Sequence, residues 1–508
     1  MSVKRIYASD YMTLDSDVLL GGGTDVTEAM QKLLDMAKDT VGVHIVVDGA
    51  ALVRGLKIYS NTTIECPNKA CGFYLADYAN RPIIANADWN FLGQKPTKNV
   101  TLIGGTYNHN CTHQKHDVPY DEYPTPPTIG HNEDFATKHL IYLMEFYGVE
   151  NLTIRDLTFR NQRTYTLLVG NFKNVKVEGC NIEMADYVRP SNQDGLHFWG
   201  PGQYLTIRDF RACTGDDVIN IGPDEIDYVS DITDVLVDGV FLDDCCQGIR
   251  LLSKGSGSLD RVTIRNVTGT YRTFAFSINP CITEKSFGNF GDICLENISL
   301  KQVNETFLHT PLKYMQVGGN IRCLSMKNVR FINPIRNSTF MELGRPFFYR
   351  PMELTMEECE EYKKIGIDIA PSADDKDVFL TEDRPTIETL IIDGFTVSHN
   401  NAEAAKMDYI ELRYNVNNLI VKNTEILKGG VEEPCGSLVR LHYEANVGNL
   451  ILENVFAEKL ENVLKAGEGH KVKLLKATNV TLSGGKKILD IDNASIDACL
   501  QSNLYLVE

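Results

Sequence analysis

The amino-acid sequence predicts an all-β fold, a parallel β-helix (solenoid) with an N-terminal capping helix. Three observations carry that prediction. A short segment of alternating apolar and polar residues recurs along most of the 508 residues, each clear copy closes on Asn, Asp or Gly, and one stretch of helical spacing precedes the copies.

The helical stretch comes first. Thr24-Asp25-Val26-Thr27-Glu28-Ala29-Met30-Gln31-Lys32-Leu33-Leu34-Asp35-Met36-Ala37 joins an N-cap candidate to apolar residues at three-and-four spacing, which places an amphipathic helix within residues 20–40. Its expected task is to cover the open end of the solenoid, an edge that would otherwise pair with another chain.

The repeat follows as Leu152-Thr153-Ile154-Arg155-Asp156, Val175-Lys176-Val177-Glu178-Gly179, Leu205-Thr206-Ile207-Arg208-Asp209, Val235-Leu236-Val237-Asp238-Gly239 and Val262-Thr263-Ile264-Arg265-Asn266. Later copies end at Asn297, Asn328, Gly394, Asn423 and Asn454. Alternation over four or five positions is the pattern of a strand with one buried face, and Val, Ile and Leu fill the inward positions. Gly adopts a left-handed backbone freely and Asn tolerates it, so the closing residue suits a turn of that kind. Helical spacing over a dozen residues is missing from these windows. They read as stacked coils, none able to bury its apolar face without a neighbour.

A solenoid grows along one axis, so the whole of 1–508 reads as one β-helix domain. Two regions leave the repeat, 108–138, rich in His, Pro and Tyr, and 340–385, which contains the helix-like Met352-Glu353-Leu354-Thr355-Met356-Glu357-Glu358. Both are expected to be loop excursions that wall a groove.

A net charge of −18 argues against nucleic acid or an anionic membrane surface as partner, since both repel a strongly acidic body. No run of 18 apolar residues exists to cross a membrane. The first ten residues lack the apolar region of a signal peptide, and the 13 cysteines are odd in number with no disulfide spacing. The expected location is therefore cytoplasmic. Cys180, Cys213 and Cys294 fall on strand positions suited to packing, and Cys245-Cys246 forms no metal motif. No cofactor and no metal are expected, and the sequence leaves the oligomeric state open.

Chemistry concentrates in two motifs, Asn192-Gln193-Asp194-Gly195 and Gly215-Asp216-Asp217, separated by about one coil. Neighbouring coils lie about 4.8 Å apart, so Asp194 and the Asp216-Asp217 pair are expected side by side. Like charges at short range keep a proton on one group, leaving an acid beside a base. Glycoside hydrolysis requires that division: one carboxylic acid protonates the leaving oxygen while another carboxylate activates water or attacks. Either motif alone also reads as an ordinary turn. Adjacent strand residues face opposite sides, so Asp216 and Asp217 share a groove only if the chain bends, and Gly215 supplies a bend.

With these motifs inside this repeat, the chain resembles the polygalacturonase-like glycoside hydrolases of family 28, which usually carry Asn-Thr-Asp-Gly at the first motif. The resemblance implies a right-handed parallel β-helix and metal-independent, inverting hydrolysis. Asp216 would be the general acid, and Asp194 and Asp217 would hold and activate the water. Two family elements are altered. Gln247 stands where the His of a Gly-His-Gly element is expected, and Phe274-Ala275-Phe276-Ser277-Ile278-Asn279 offers no cation where the family has Arg-Ile-Lys. The resemblance therefore implies glycosidic cleavage without implying galacturonate, and the substrate is either neutral or an acidic sugar held by Arg250 or Lys254.

The substrate-binding candidates are Asn192, Gln247, Arg250, His197, Trp199 and Lys254. An indole face packs on sugar rings and His bonds to their hydroxyls. Strict alternation nevertheless puts His197 and Trp199 on the strand face opposite Asp194, so they reach the groove only through a bend at Gly195. Two other functions fit the same scaffold: a polysaccharide lyase with calcium on Asp216-Asp217, and a non-catalytic glycan-binding or phage tail-fibre solenoid whose acids are turn residues.

Overall fold

The computed structural model describes residues 3, 5–39, 41–87, 95–119, 138–188, 192–225, 230–253, 255, 257–279, 288–303, 313–332, 339–343, 386–399, 404–442, 445–467 and 469–508. The chain divides into two compact units, Met1–Thr270 and Tyr271–Glu508. Each is built from parallel coils of right-handed β-helix.

In the first unit, strand Met144–Arg155 pairs in parallel with Leu167–Glu178, which pairs with Leu196–Ala212, which pairs with Ile232–Cys245. Each coil sets like residues over like: Leu152, Val175, Leu205 and Val235 form one row and Ile154, Val177, Ile207 and Val237 the next. Both rows are buried. Fully burying such a side chain stabilises by about 1.5–3 kcal/mol, and the alternation delivers two per coil to one side of the strand. A second series of short strands carries the site: the start of Leu196–Ala212 pairs with Asp217–Gly222, which pairs with Gln247–Leu252.

The N-terminal helix runs from Thr27 to Asp35, followed by a single turn of tighter helix at Met36–Lys38. It buries Met30, Leu33 and Leu34. Gln31 ties it to the first coils by donating to the Lys57 carbonyl and accepting from the Lys57 N–H, both at 2.9 Å. Asp25 accepts the Thr27 N–H at 3.0 Å, so the acid satisfies a donor at the helix start.

In the second unit the long strands Ile321–Ile332, Thr386–Ser398, Asn415–Leu427, Val447–Glu458, Val472–Ser483 and Ile496–Val507 stack in parallel. Its core holds a column of rings: Tyr314 lies 4.9 Å from Phe331 and 5.0 Å from Phe340, and Phe340 stacks on Phe395 at 4.0 Å.

All ten closing residues of the repeat, from Asp156 to Asn454, have a left-handed backbone with φ between 49° and 81°. The turn chemistry read from the sequence is realised at each. Where Asn occupies this corner in consecutive coils, the side chains also bond to one another: Asn454 to Asn423 at 3.1 Å, Asn479 to Asn454 at 3.0 Å and Asn503 to Asn479 at 2.8 Å. A second ladder, Asn61, Asn99, Asn151 and Asn174, joins coils of the first unit at another left-handed corner.

The excursions are described in part. Within 108–138, Cys111–His113 forms one helical turn and Asp117–Pro119 pairs antiparallel with Lys138–Leu140. Residues 120–137 lie outside the described residues. Of 340–385, Met341–Leu343 is a coil strand paired with Lys313–Val317 and Ile410–Leu412, because its alternation continues the repeat. The remainder, including Met352–Glu358, lies outside the described residues.

Candidate active site

The site forms where Leu196–Ala212 begins and the next coil enters Asp217–Gly222. All four residues Leu196–Trp199 are buried, with Leu196 and Phe198 on one face of the strand and His197 and Trp199 on the other. Asp194 would join Leu196 and Phe198 under strict alternation, yet its Oδ2 lies 3.4 Å from His197 Nδ1. The bend at Gly195 turns it. A side chain at Gly195 would place its Cβ 2.2 Å from the Val218 carbonyl oxygen, so the bend requires glycine. The Gly195 N–H donates to the Asp217 carbonyl at 2.7 Å, and the Asp194 carbonyl accepts the Thr166 N–H at 2.9 Å. These bonds fix Asp194 level with the coils on either side.

Asp216 sits in the bend before the strand and is half-buried, whereas Asp194 and Asp217 are 4% and 1% exposed. Asp217 starts the strand in register with Gln247. Arg250 Nε lies 3.2 Å from Asp217 Oδ2, Asn220 donates to the same oxygen at 3.4 Å, and Arg250 donates a short hydrogen bond to Gln247. Gln247 and Arg250 are thus knitted to Asp217 from the following coil.

Electrostatics separates the three acids from ordinary surface carboxylates. Burial and the neighbouring Asp194 and Asp217 charges push Asp216 well above the usual carboxylate range. Burial pushes Asp217 up to about 7, against the pull of Arg250. Burial raises Asp194 as well, opposed by His197 and Arg250. Desolvation disfavours each charged form, and like charges hold a proton on the group least able to shed it.

Behind Asp194 stands a chain of partners, buried at His197 and Trp199 and partly exposed at Glu225. His197 Nε2 meets Glu225 Oε2 at 2.8 Å, and the Trp199 indole N–H donates to the same oxygen at 3.1 Å. Tyr165 stacks flat on the imidazole, with centroids 4.2 Å apart and planes 15° apart. Burial alone would lower the His197 pKa, but Glu225 and Asp194 raise it to about 10. Glu225 is pushed up by burial and pulled further down by His197 and Trp199, so it lies below its usual range.

His197 and Trp199 therefore play parts other than the sugar contacts expected of them. His197 is 1% exposed and its two nitrogens face carboxylates. Trp199 is 8% exposed, packed in a buried cluster with Leu140, Tyr142, Tyr147, Tyr165 and Leu168, so its ring faces are covered. Asn192 has a left-handed backbone and accepts a bond from His116 at 3.1 Å, tying the motif to the segment that leads to Asp117–Pro119. Lys254 lies outside the described residues. Gln193, where the resemblance has Thr, is fully buried and braces the loop by donating to the Gln162 and Asp186 carbonyls at 2.9 and 3.1 Å.

Sequence reasoning missed Glu225, Asn220 and Tyr165. Asn220 was within reach, because it pairs with His197 in the coil register. Glu225 follows a strand end in Gly222-Pro223-Asp224-Glu225, where no repeat predicts its direction.

A second polar cluster lies in the other unit. Ligand atoms of Asp408, Glu411 and His442 come within 4.8 Å of one another. Asp408 is paired with Arg440 at 2.7 Å and Glu411 with Arg413 at 2.9 Å, so guanidinium groups already meet both carboxylates.

No protein-family model matches the chain, and comparison with curated proteins gave no match. Solved structures do resemble it. A mutant tailspike protein of E. coli bacteriophage HK620 in complex with a hexasaccharide aligns over 99% of this chain and 80% of its own at 11% identity, with a TM-score of 0.57. The N-terminal fragment of bacteriophage Phi29 gene product 12 aligns over 99% and 70% at 13% identity, with a TM-score of 0.50. The family 28 exopolygalacturonase of Yersinia enterocolitica aligns over 100% and 78% at 12% identity, with a TM-score of 0.45, too remote to add weight. The coil register and the first two likenesses define the class of fold, a parallel β-helix.

Proposed function

We propose that the chain is a glycoside hydrolase that cleaves a glycosidic bond in an oligo- or polysaccharide by acid/base catalysis, with inversion. The observation that carries this reading is the convergence of Asp194, Asp216 and Asp217 from two adjacent coils; burial and the two neighbouring charges push Asp216 well above the usual carboxylate range. A carboxylic acid that keeps its proton near neutral pH is what departure of a poor alkoxide leaving group requires. Asp216, the most exposed of the three, gives its proton to the glycosidic oxygen. Asp194 and Asp217 hold a water on the other side and take its proton as it attacks the anomeric carbon. Arg250 and Asn220 favour the ionised form of Asp217, and His197 does the same for Asp194.

A neutral sugar suits this site better than a uronate, because Arg250 is already engaged by Asp217 and Gln247. The same pairing disfavours calcium at Asp217 and with it the lyase alternative. The likeness to a tailspike with a bound hexasaccharide agrees with a glycan partner, as the acidic surface disagrees with nucleic acid. The proposed setting is the cytoplasm; no disulfide joins the eleven cysteines described.

The test is a panel of aryl glycosides and oligosaccharides, with anomers followed by NMR, for the wild type and Asp216→Asn. Turnover with inversion, lost by at least about 100-fold in the variant and unaffected by excess chelator, supports the reading. A retained anomer, dependence on a metal, or glycan binding without turnover overturns it.

A further inference from the structure

We infer that Glu225, acting through His197, is a positioning residue that holds Asp194 as an oriented carboxylate, so that a Glu225–His197–Asp194 relay assigns Asp194 the water-activating role. The inference rests on the hydrolase reading for its consequence, although the relay itself is a matter of geometry.

The arrangement is specific. His197 is buried between two carboxylates, 2.8 Å from one and 3.4 Å from the other, through opposite ring nitrogens. The ring cannot rotate freely, since Tyr165 covers its face at 4.2 Å and Trp199 meets it edge-on at 5.6 Å. Glu225 cannot swing away, since its Oε2 takes both the His197 contact and the Trp199 indole N–H. The charged groups that face the imidazole are Asp194 on its own segment, Glu225 beyond its strand partner, Asp217 from the next coil and, through Asp217, Arg250 from the coil after that. Three acids around one imidazole favour imidazolium, and imidazolium places a cation against Asp194, one of the two catalytic acids that Arg250 does not pair with directly.

Asp194 and Asp217 thus each have a cation of their own, His197 and Arg250, and Asp216 has none within ion-pair distance among the described residues. Burial and the charges of Asp194 and Asp217 push Asp216 well above the carboxylate range, while the two cations favour the ionised forms of Asp194 and Asp217. Gln, Asn or Leu at position 225 would leave the buried imidazolium without its closest counter-charge.

The experiment is direct titration of His197 by NMR in protein labelled with ¹⁵N-histidine, in the wild type and in Glu225→Gln. The glutamine keeps an acceptor for both donors and removes only the charge. The wild-type imidazole is expected to stay protonated through pH 8, and Glu225→Gln to lower its pKa by at least about one unit. His197→Gln, which removes the cation beside Asp194, is expected to move the acidic limb of kcat/KM up by about one pH unit or more, with KM little changed because the ring touches no substrate. A wild-type His197 that titrates below pH 7, or a Glu225→Gln variant whose His197 titrates as the wild type does, overturns the relay. The wild-type titration decides even if both variants fail to fold. If no glycan is turned over while His197 titrates as expected, the hydrolase reading fails and the relay stands.

Discussion

Replacing Gly195 by alanine probes the bend on which the site depends. An alanine Cβ would fall 2.2 Å from the Val218 carbonyl oxygen and 3.1 Å from Ile182 Cδ1. A backbone oxygen cannot give way alone, so the two coils must part by about 1 Å, and overpacking of this kind costs about 1–3 kcal/mol. Separation also stretches the 2.7 Å bond from Gly195 N–H to the Asp217 carbonyl, a loss of about 1 kcal/mol. The expected destabilisation of the first unit is about 2–4 kcal/mol, measured by urea unfolding followed by circular dichroism. Gly215→Ala is the milder comparison: its Cβ would meet the edge of the Tyr187 ring at 2.9 Å and Gln193 Cβ at 3.3 Å, side-chain atoms rather than a backbone oxygen. A shift of about 1 Å between Asp194 and Asp217 should also lower turnover by about 100-fold. If Gly195→Ala unfolds within about 0.5 kcal/mol of the wild type, the bend does not require glycine and the placement of Asp194 must be explained otherwise.

Two further outcomes are expected. His197 has a folded pKa raised from 6.5 to about 10; its stabilisation is therefore complete below pH 6.5 and is lost as pH rises toward 10, so the first unit should lose up to about 3 kcal/mol between pH 7 and 9. Thermal midpoints across that window check it, with His197→Gln flattening the slope; a midpoint that rises with pH contradicts the assignment, and the window avoids the charging below pH 6.5 of His109, which burial holds near 3. Asn454→Ala combines a left-handed backbone, φ 53°, with loss of its bonds to Asn423 and Asn479, and should destabilise the second unit by about 2–3 kcal/mol. Asn454→Gly should cost less than Asn454→Ala in the same urea titration, and equal costs would mean that the backbone conformation contributes nothing.

The coils were legible in the sequence because one physical requirement, an inward apolar row closed by a left-handed residue, recurs with little variation from Leu152 to Asn454. The second corner was not, because its left-handed positions carry Asn61, Asn99, Asn151 and Asn174 but later Tyr204, Asp234 and Arg261, and no residue type announces it. Asp194, Asp216 and Asp217 could be read as a group from coil spacing. The part played by His197 and Trp199 could not, because alternation gives the face of a strand and says nothing about what covers that face. Glu225 reaches His197 from a turn outside the repeat, and only folded geometry shows the approach.

The ladder of asparagines has a consequence for how such a chain can be edited. Asn423 and Asn454 occupy the same corner of successive coils, 31 residues apart, and strand Val447–Glu458 repeats the register of Asn415–Leu427 residue for residue. A splice that joins Asn423 directly to Val455 removes one whole turn and still presents Asn479 with an amide in the place it now meets Asn454. The corner behaves as a joint with interchangeable parts: length is adjustable in whole coils, whereas a splice one residue out of register would put the apolar row on the wrong side of the wall.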